Sequence, residues 1–501
     1  MNQAVFSSVP ESDPFFSDVL IVGAGITGTA LARELSRYEV SVTVLDRGPD
    51  VAAGATKANS GIVHAGYDAA PGTKKAYYNV RGAAMYESLC AELCVPFRRC
   101  GALVIGFDAA DAAVLEDLLA RGRRNGVEGL SVVSGEEARA MEPALNPDVA
   151  CALSVPCSAI VSPYELAFAL ADDAALNGVR FVFSRCAVSA GRDENGWDIG
   201  TASGETFRAK VFINCAGAGG ADLHNLISSE RLSMTHRRGQ YYLLDRMTDL
   251  PFSRTIFQCP SALGKGVLIS PTVHGNLLLG PNAEDVPDPL DTATTAEGLS
   301  FVLSRARRTW PQASTRFNIT NFAGLRAHLD AGDFVIGRVS GVPGAFEAIG
   351  IESPGLSSAP AIAADLAADV ATYLKLKKKA DIIPFPPRPK PFCEMTDDER
   401  ASAVRKDPAY GNIICRCETV TEAEIRSAIR RPVGARTVDG VKRRTRAGMG
   451  RCQGGFCSPR VAQILSEETG IPLPEITKDG GESRLLCDSV SSFLKGGAEH
   501  E

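Results

Sequence analysis

No uncharged apolar run of about 18 residues occurs anywhere in the 501 residues, so no helix of this chain is expected to span a membrane. Basic residues are missing from Met1–Phe16, as is any continuous apolar stretch, which excludes a secretory signal of the usual kind. The expected setting is therefore the cytoplasm, with membrane association arising only through a partner. In that reducing compartment fourteen cysteines do not suit a disulfide framework; they read as buried thiols and metal ligands. An excess of positive charge is lacking too: the net charge of −6 argues against nucleic-acid binding. What is present, 45% hydrophobic and 22% charged residues, is ordinary for a folded chain, and the length suits two or three domains.

The chain is organised around residues 17–46. A β-rich apolar run, Asp18-Val19-Leu20-Ile21-Val22, meets the turn Gly23-Ala24-Gly25-Ile26-Thr27-Gly28, then an apolar-periodic helix to Leu35 and a second strand, Val40 to Leu45, ending at Asp46. This is a βαβ nucleotide-binding unit. Gly23 permits the tight turn, Gly25 lets a pyrophosphate approach the backbone, and Gly28 lets helix pack on strand. The helix start offers unpaired N–H groups to phosphate, and Asp46 offers acceptors to a ribose. No complete second Gly-x-Gly-x-x-Gly unit follows, which argues against two dinucleotides in one chain.

Further along, Gly54 to Gly66 is rich in small and hydroxyl residues, suited to wrapping a large flat cofactor; a glycine-rich loop entering a core strand is the alternative. A strand lies within Pro96–Gly106, a helix runs from about Tyr164 to Asn177, and the strand Lys210 to Asn214 ends in small residues, Ala216-Gly217-Ala218-Gly219. Between Arg238 and Asn282, strands alternate with turns, as expected of an inserted, mostly antiparallel sheet. Gly324-Leu325-Arg326 and Ser353-Pro354-Gly355-Leu356-Ser357 follow, the latter opening an alanine-rich helix to about Leu376.

In this order, these segments resemble the D-amino-acid oxidase superfamily of FAD enzymes over roughly residues 17–376. Asn59-Ser60-Gly61-Ile62-Val63-His64-Ala65-Gly66, with Gly324-Leu325-Arg326 and Ser353-Pro354-Gly355-Leu356, looks like the branch holding glycerol-3-phosphate and L-2-hydroxyglutarate dehydrogenases. The resemblance implies a Rossmann-like α/β domain in three segments (about 17–85, 150–228 and 322–376) and a substrate domain of antiparallel strands (about 86–149 and 229–321). It implies FAD between them, contacted by Asp46, Arg47, Asn59, Ser60, Gly61, the strand around Val188, Ala216, Gly217, Gly355, Leu356 and Ser357.

After the stiff, Pro/Lys-rich connector of 377–409, a small domain is expected over about 410–470, and a tail over 471–501. Cys415-Arg416-Cys417 is followed after 34 residues by Cys452-Gln453-Gly454-Gly455-Phe456-Cys457. Thiolates grouped two and two suit zinc or a 2Fe-2S cluster, and gaps of one and four residues depart from the usual zinc-ribbon spacing. Ile414–Thr421 and Arg443–Gly454 closely resemble the bacterioferritin-associated-ferredoxin-like 2Fe-2S domain that ends members of the anaerobic glycerol-3-phosphate dehydrogenase family, which places it after the same kind of flavin domain. From Arg426 to Arg460 ten Lys or Arg accompany one acid, Asp439. These cations read as stabilising an anionic cluster, as a solvated face, or as a docking surface for an acidic electron partner.

The implied chemistry is oxidation of a small anionic secondary alcohol by hydride transfer to FAD, with electrons leaving through the cluster to a separate protein subunit or carrier. Arg326 suits the substrate anion, Lys265 a second phosphate contact, and His64 the base or a flavin contact, with His274 and His328 as weaker competitors. The alternatives are a 2-hydroxyacid dehydrogenase, an amine or opine dehydrogenase, and a non-catalytic electron relay.

Overall fold

The computed structural model describes residues 15–247, 249–260 and 266–486. At its centre Phe16–Val22 lies between Val42–Leu45 and Thr206–Asn214, parallel to both, with Val22 opposite Leu45 on one side and Asn214 on the other. Covered on both faces, the strand is apolar at consecutive positions, and Val19, Leu20 and Ile21 are fully buried. Val19, Ile21 and Ile213 pack against helices Ile26–Leu35, Pro163–Leu176 and Gly355–Leu374, while Leu20 and Phe212 pack on Trp197 and Phe207. Eight strands make up this sheet, including the antiparallel pair Ala187–Arg192 and Trp197–Thr201.

The second sheet has nine strands and is mostly antiparallel, with one parallel pair between Ala102–Gly106 and Thr255–Gln258. Met234–Leu244 pairs along its whole length with Asn318–Leu329. Cys151–Val155 also belongs here, beside Ala102–Gly106. The sheet therefore retains 151–155 and 318–329: the expected boundary near 150 leaves Cys151–Val155 on the flavin side, and the one near 322 cuts through Asn318–Leu329. Apolar alternation identifies a strand but not which of two sheets it joins. No described helix is long and apolar enough to cross a membrane.

Two connections differ from an extended tether and a loose tail. Within 377–409 a helix forms at Asp397–Lys406, because Thr396 and Glu399 exchange side-chain-to-backbone bonds as a capping box. The proline-rich part is strapped to the first domain: Lys379 N–H donates to the Arg37 carbonyl, Ile383 N–H donates to Asn177 Oδ1, and Phe385 packs on the core. Past residue 470, Ile476 is buried in the third domain, and residues 477–484 turn back as a short hairpin bridged at Thr477 and Arg484.

The third domain has strands Ile413–Cys415 and Val420–Thr421 and helices Glu422–Ile429, Val438–Thr445 and Ser458–Thr469, around fully buried Ile425, Val441, Ile464 and Leu465. Most of its cations are paired. Arg431 Nε bonds Asp172 at 2.5 Å, Arg451 pairs with Asp245, and Arg446 bonds Glu418 at 2.8 Å and Asn276 Oδ1 at 3.0 Å. Arg426, Arg430 and Arg460 are taken up by Glu422, Glu467 and Glu468 within the domain. The basic segment is thus answered by ion pairs, some of them an interdomain clamp to acids far away in sequence and the others to acids of the third domain itself.

The anchor of that clamp is Arg444, which makes a two-pronged contact with Asp50 (2.5 and 2.7 Å) and lies 3.9 Å from the centroid of Phe168. The two side chains are 0% and 3% exposed, so removing one leaves a buried charge. Arg444→Met is expected to cost about 3–5 kcal/mol of unfolding free energy, and Asp50→Leu with Arg444→Met to recover much of it, checked by denaturant titration.

Candidate active site and cluster site

The Gly23 turn shows why its residue types are needed. Gly23 has φ +113°, and a Cβ there would stand 2.2 Å from the Cys215 carbonyl oxygen; at Gly28 it would stand 1.9 Å from the Gly23 oxygen. Gly25 caps the first helix without a side-chain bond, and the helix start opens onto a cavity of about 1460 Å³ walled by Gly25, Ile26 and Thr27. Asp46 is held at the same wall by Ala24 N–H and Gly48 N–H, each 2.6 Å from a different carboxylate oxygen. Burial pushes its carboxyl above the ordinary range, against those two hydrogen bonds.

The cavity runs between the two sheets. Gly23, Arg47, Asn59, Ser60, Val188, Ala216 and Gly217 line it, with Gly355 and Leu356 at the start of the long helix. Gly28, Gly61 and Ser357 stand behind the wall. Gly61 (φ +67°) lets the chain pass the Val161 carbonyl, and the Ser357 hydroxyl accepts from His64 N–H at 2.7 Å, setting the position of that histidine. A long cavity with a glycine turn, an uncapped helix end and an acid at one end fits a flavin dinucleotide.

Toward the second sheet the wall becomes cationic and aromatic. Gly324, Arg326 and His328 alternate along one strand, and Arg237 and Tyr241 along its neighbour, where Gly239 faces Gly324 in register. A Cβ on Gly239 would lie 2.9 Å from an Arg326 Nη, so glycine leaves room for the guanidinium. Arg326 donates to the Asn282 carbonyl at 3.2 Å, and among the described residues no carboxylate pairs with it. By contrast, Arg237 pairs with Asp285, while Lys75 and His328 share Glu352 at 2.7 and 2.8 Å. Burial raises the Glu352 carboxyl, but these two partners outweigh it and hold it below the usual range. Burial pushes the Tyr241 phenol up, with Arg326 opposing.

His64 lies at this end, its ring 5.7 Å from that of Phe257. His274 does not: it bonds Glu165 at 2.6 Å, outside the cavity lining. Lys265 lies outside the described residues. Sequence reasoning missed Lys75, Arg237, Tyr241 and Glu352; only the alternation of Arg237, Gly239 and Tyr241 along one strand face hinted at two of them.

In the third domain Cys415 and Cys457 are buried and Cys417 is exposed, with Cys417 Sγ 3.7 Å from Cys452 Sγ. A Cβ on Gly450 would collide with Cys417 Cβ at 2.3 Å, and Gly448 and Gly454 have positive φ, so glycines let these loops close together. Thr419 and Gln453 also adopt left-handed backbone here, a strain found at functional loops. Among the described residues no three His, Cys, Asp or Glu side chains form a single-metal site. The four thiols fit a cluster of two irons, two ligands to each.

Residues 18–369 match the FAD dependent oxidoreductase family, and residues 413–467 match the BFD-like 2Fe-2S binding domain. The chain belongs to the FAD-dependent oxidoreductases, and it carries FAD and a C-terminal 2Fe-2S domain. Among its relatives is a glycerol 3-phosphate dehydrogenase of Caloramator mitchellensis, 46% identical over 95% of this chain and 100% of the relative. A glycerol 3-phosphate oxidase of Mycoplasma genitalium is 30% identical over 72% of this chain and 96% of its own length. In structure, the chain is similar to the dithionite-reduced L-α-glycerophosphate oxidase of Mycoplasma pneumoniae with FAD bound. There the TM-score is 0.70 at 29% identity, covering 75% of this chain and 99% of the other.

Proposed function

We propose that the chain oxidises glycerol 3-phosphate to dihydroxyacetone phosphate and passes the electrons out through the third domain. The observation that carries the substrate is Arg326, a cavity guanidinium without a carboxylate partner among the described residues, standing with His64 in the same wall. Its fork suits the oxygens of a phosphate. Tyr241 and the Asn282 carbonyl hold the guanidinium in place, and Ser357 fixes the His64 backbone, so His64 is set to take the substrate hydroxyl proton on its imidazole. The bound flavin supplies two-electron oxidation of the carbon, and the cluster carries single electrons.

For the exit, the exposed Cys417 and Phe456, the latter 88% exposed, form the free edge of the cluster site, where an electron-accepting protein or carrier meets the chain. Its charge is not dictated by the basic segment, whose cations are largely paired with acids of this chain. Substrate identity is tested by mixing the protein anaerobically with glycerol 3-phosphate, hydroxy acids and amino acids in turn. Glycerol 3-phosphate should bleach the flavin fastest; faster bleaching by L-2-hydroxyglutarate or an amino acid would overturn the assignment.

A further inference from the structure

Among the described residues, the cavity described above has one wall residue from outside both matched regions. Asp479 lines it, although the flavin-family match ends at 369 and the cluster-domain match at 467. Asp479 Oδ2 lies 2.7 Å from Lys57 Nζ, and its Oδ1 lies 2.9 Å from Arg443 Nη2. Arg443 reaches toward Asp50 at 3.9 Å, and Asp50 carries Arg444, so charges of alternating sign run from Lys57 to the helix Val438–Thr445. The hairpin bearing Asp479 is built tightly. Lys478 N–H donates to the Ser483 carbonyl, Asp479 N–H to Ser483 Oγ and Gly480 N–H to Thr477 Oγ1. Its backbone is tied to the same helix, since Val438 N–H and Asp439 N–H donate to the carbonyls of Thr477 and Lys478. Gly480, at φ +82°, lies against Pro49, where a Cβ would come within 2.5 Å of the proline ring.

Pro49 and Lys57 belong to the segment that follows Asp46, at the ribose end of the cavity. We infer that the hairpin 477–484 is the outer wall of the nucleotide end of the FAD site, so that retention of the flavin depends on the docked third domain. The domain then has a second role beside holding the cluster: it closes the cofactor cavity of its neighbour.

The inference rests on the flavin reading of the cavity, and its test separates the two. FAD is titrated into flavin-stripped full-length protein and binding followed by flavin fluorescence, with iron content and cluster absorbance measured on each sample. Asp479→Asn, which keeps the shape but loses the charge, should weaken FAD binding by about fivefold, the upper end for a partly exposed pair. Gly480→Val, which drives the hairpin off Pro49, should weaken it further. Both should keep their iron. If either variant loses iron, Lys57→Gln reports on the same contact from the other side, and Lys57→Gln with Asp479→Asn should be no worse than the poorer single change. FAD binding as tight as wild type in iron-replete variants, or additive losses in the double variant, would overturn the hairpin's role. A wild-type protein that bound no FAD would instead overturn the flavin reading itself.

Discussion

Replacing Arg326 by alanine is expected to lower kcat/KM for glycerol 3-phosphate by roughly 10²–10³-fold, the cost of leaving a substrate anion without its cation in an enclosed site. The guanidinium spans the space left by Gly239 and meets the Asn282 carbonyl and the Tyr241 phenol, and among the described residues no carboxylate needs it as a counter-ion. Folding should therefore be little affected, and thermal unfolding should separate that from the catalytic loss. Arg326→Lys keeps the charge and loses the fork; it should fall between wild type and alanine. Equal kcat/KM in wild type and alanine variant would remove Arg326 from the substrate site.

The second large effect is expected at the cluster. Cys452→Ser should abolish iron binding and reduce turnover with the physiological acceptor to background, while glycerol 3-phosphate still bleaches the flavin in a single anaerobic turnover. The assay needs excess FAD, because a third domain without its cluster is expected to hold the hairpin 477–484 less firmly. Undiminished acceptor turnover in an iron-free variant would mean that electrons leave directly from the flavin and that the third domain is structural.

The features legible in the sequence are those whose chemistry is local. Gly23, Gly25 and Gly28 sit within one turn, and Asp46 follows at the end of the next strand; spacing alone brings Gly23, Gly25 and Asp46 to one cavity wall, with Gly28 packed behind it. The four cysteines are legible for the same reason, each pair lying within a few residues. The place of His274 is not legible. Its type suits a catalytic base, but its position is decided by Glu165, which comes from a helix more than a hundred residues earlier. The partners of Arg431, Arg444 and Arg451 in the basic run are not legible either, because Asp172, Asp50 and Asp245 are contributed by the flavin and substrate domains. Residues 471–486 carry no pattern that could mark them as part of a cofactor site, since only the tertiary fold sets Asp479 beside Lys57.

Asp172 shows what such an interface means for treating the domains as separable parts. Its two oxygens receive Arg431 Nε and Val433 N–H from the third domain, and Arg388 of the proline-rich strap lies 3.9 Å away. One carboxylate thus answers two separate segments, 431–433 and the proline-rich strap, and Asp50 and Asp245 extend the same dependence. The flavin and iron–sulfur parts are consequently not interchangeable cassettes. A third domain moved onto a flavin protein lacking these acids would bring Arg431, Arg444 and Arg451 without their partners, so the two parts are matched by charge across their seam.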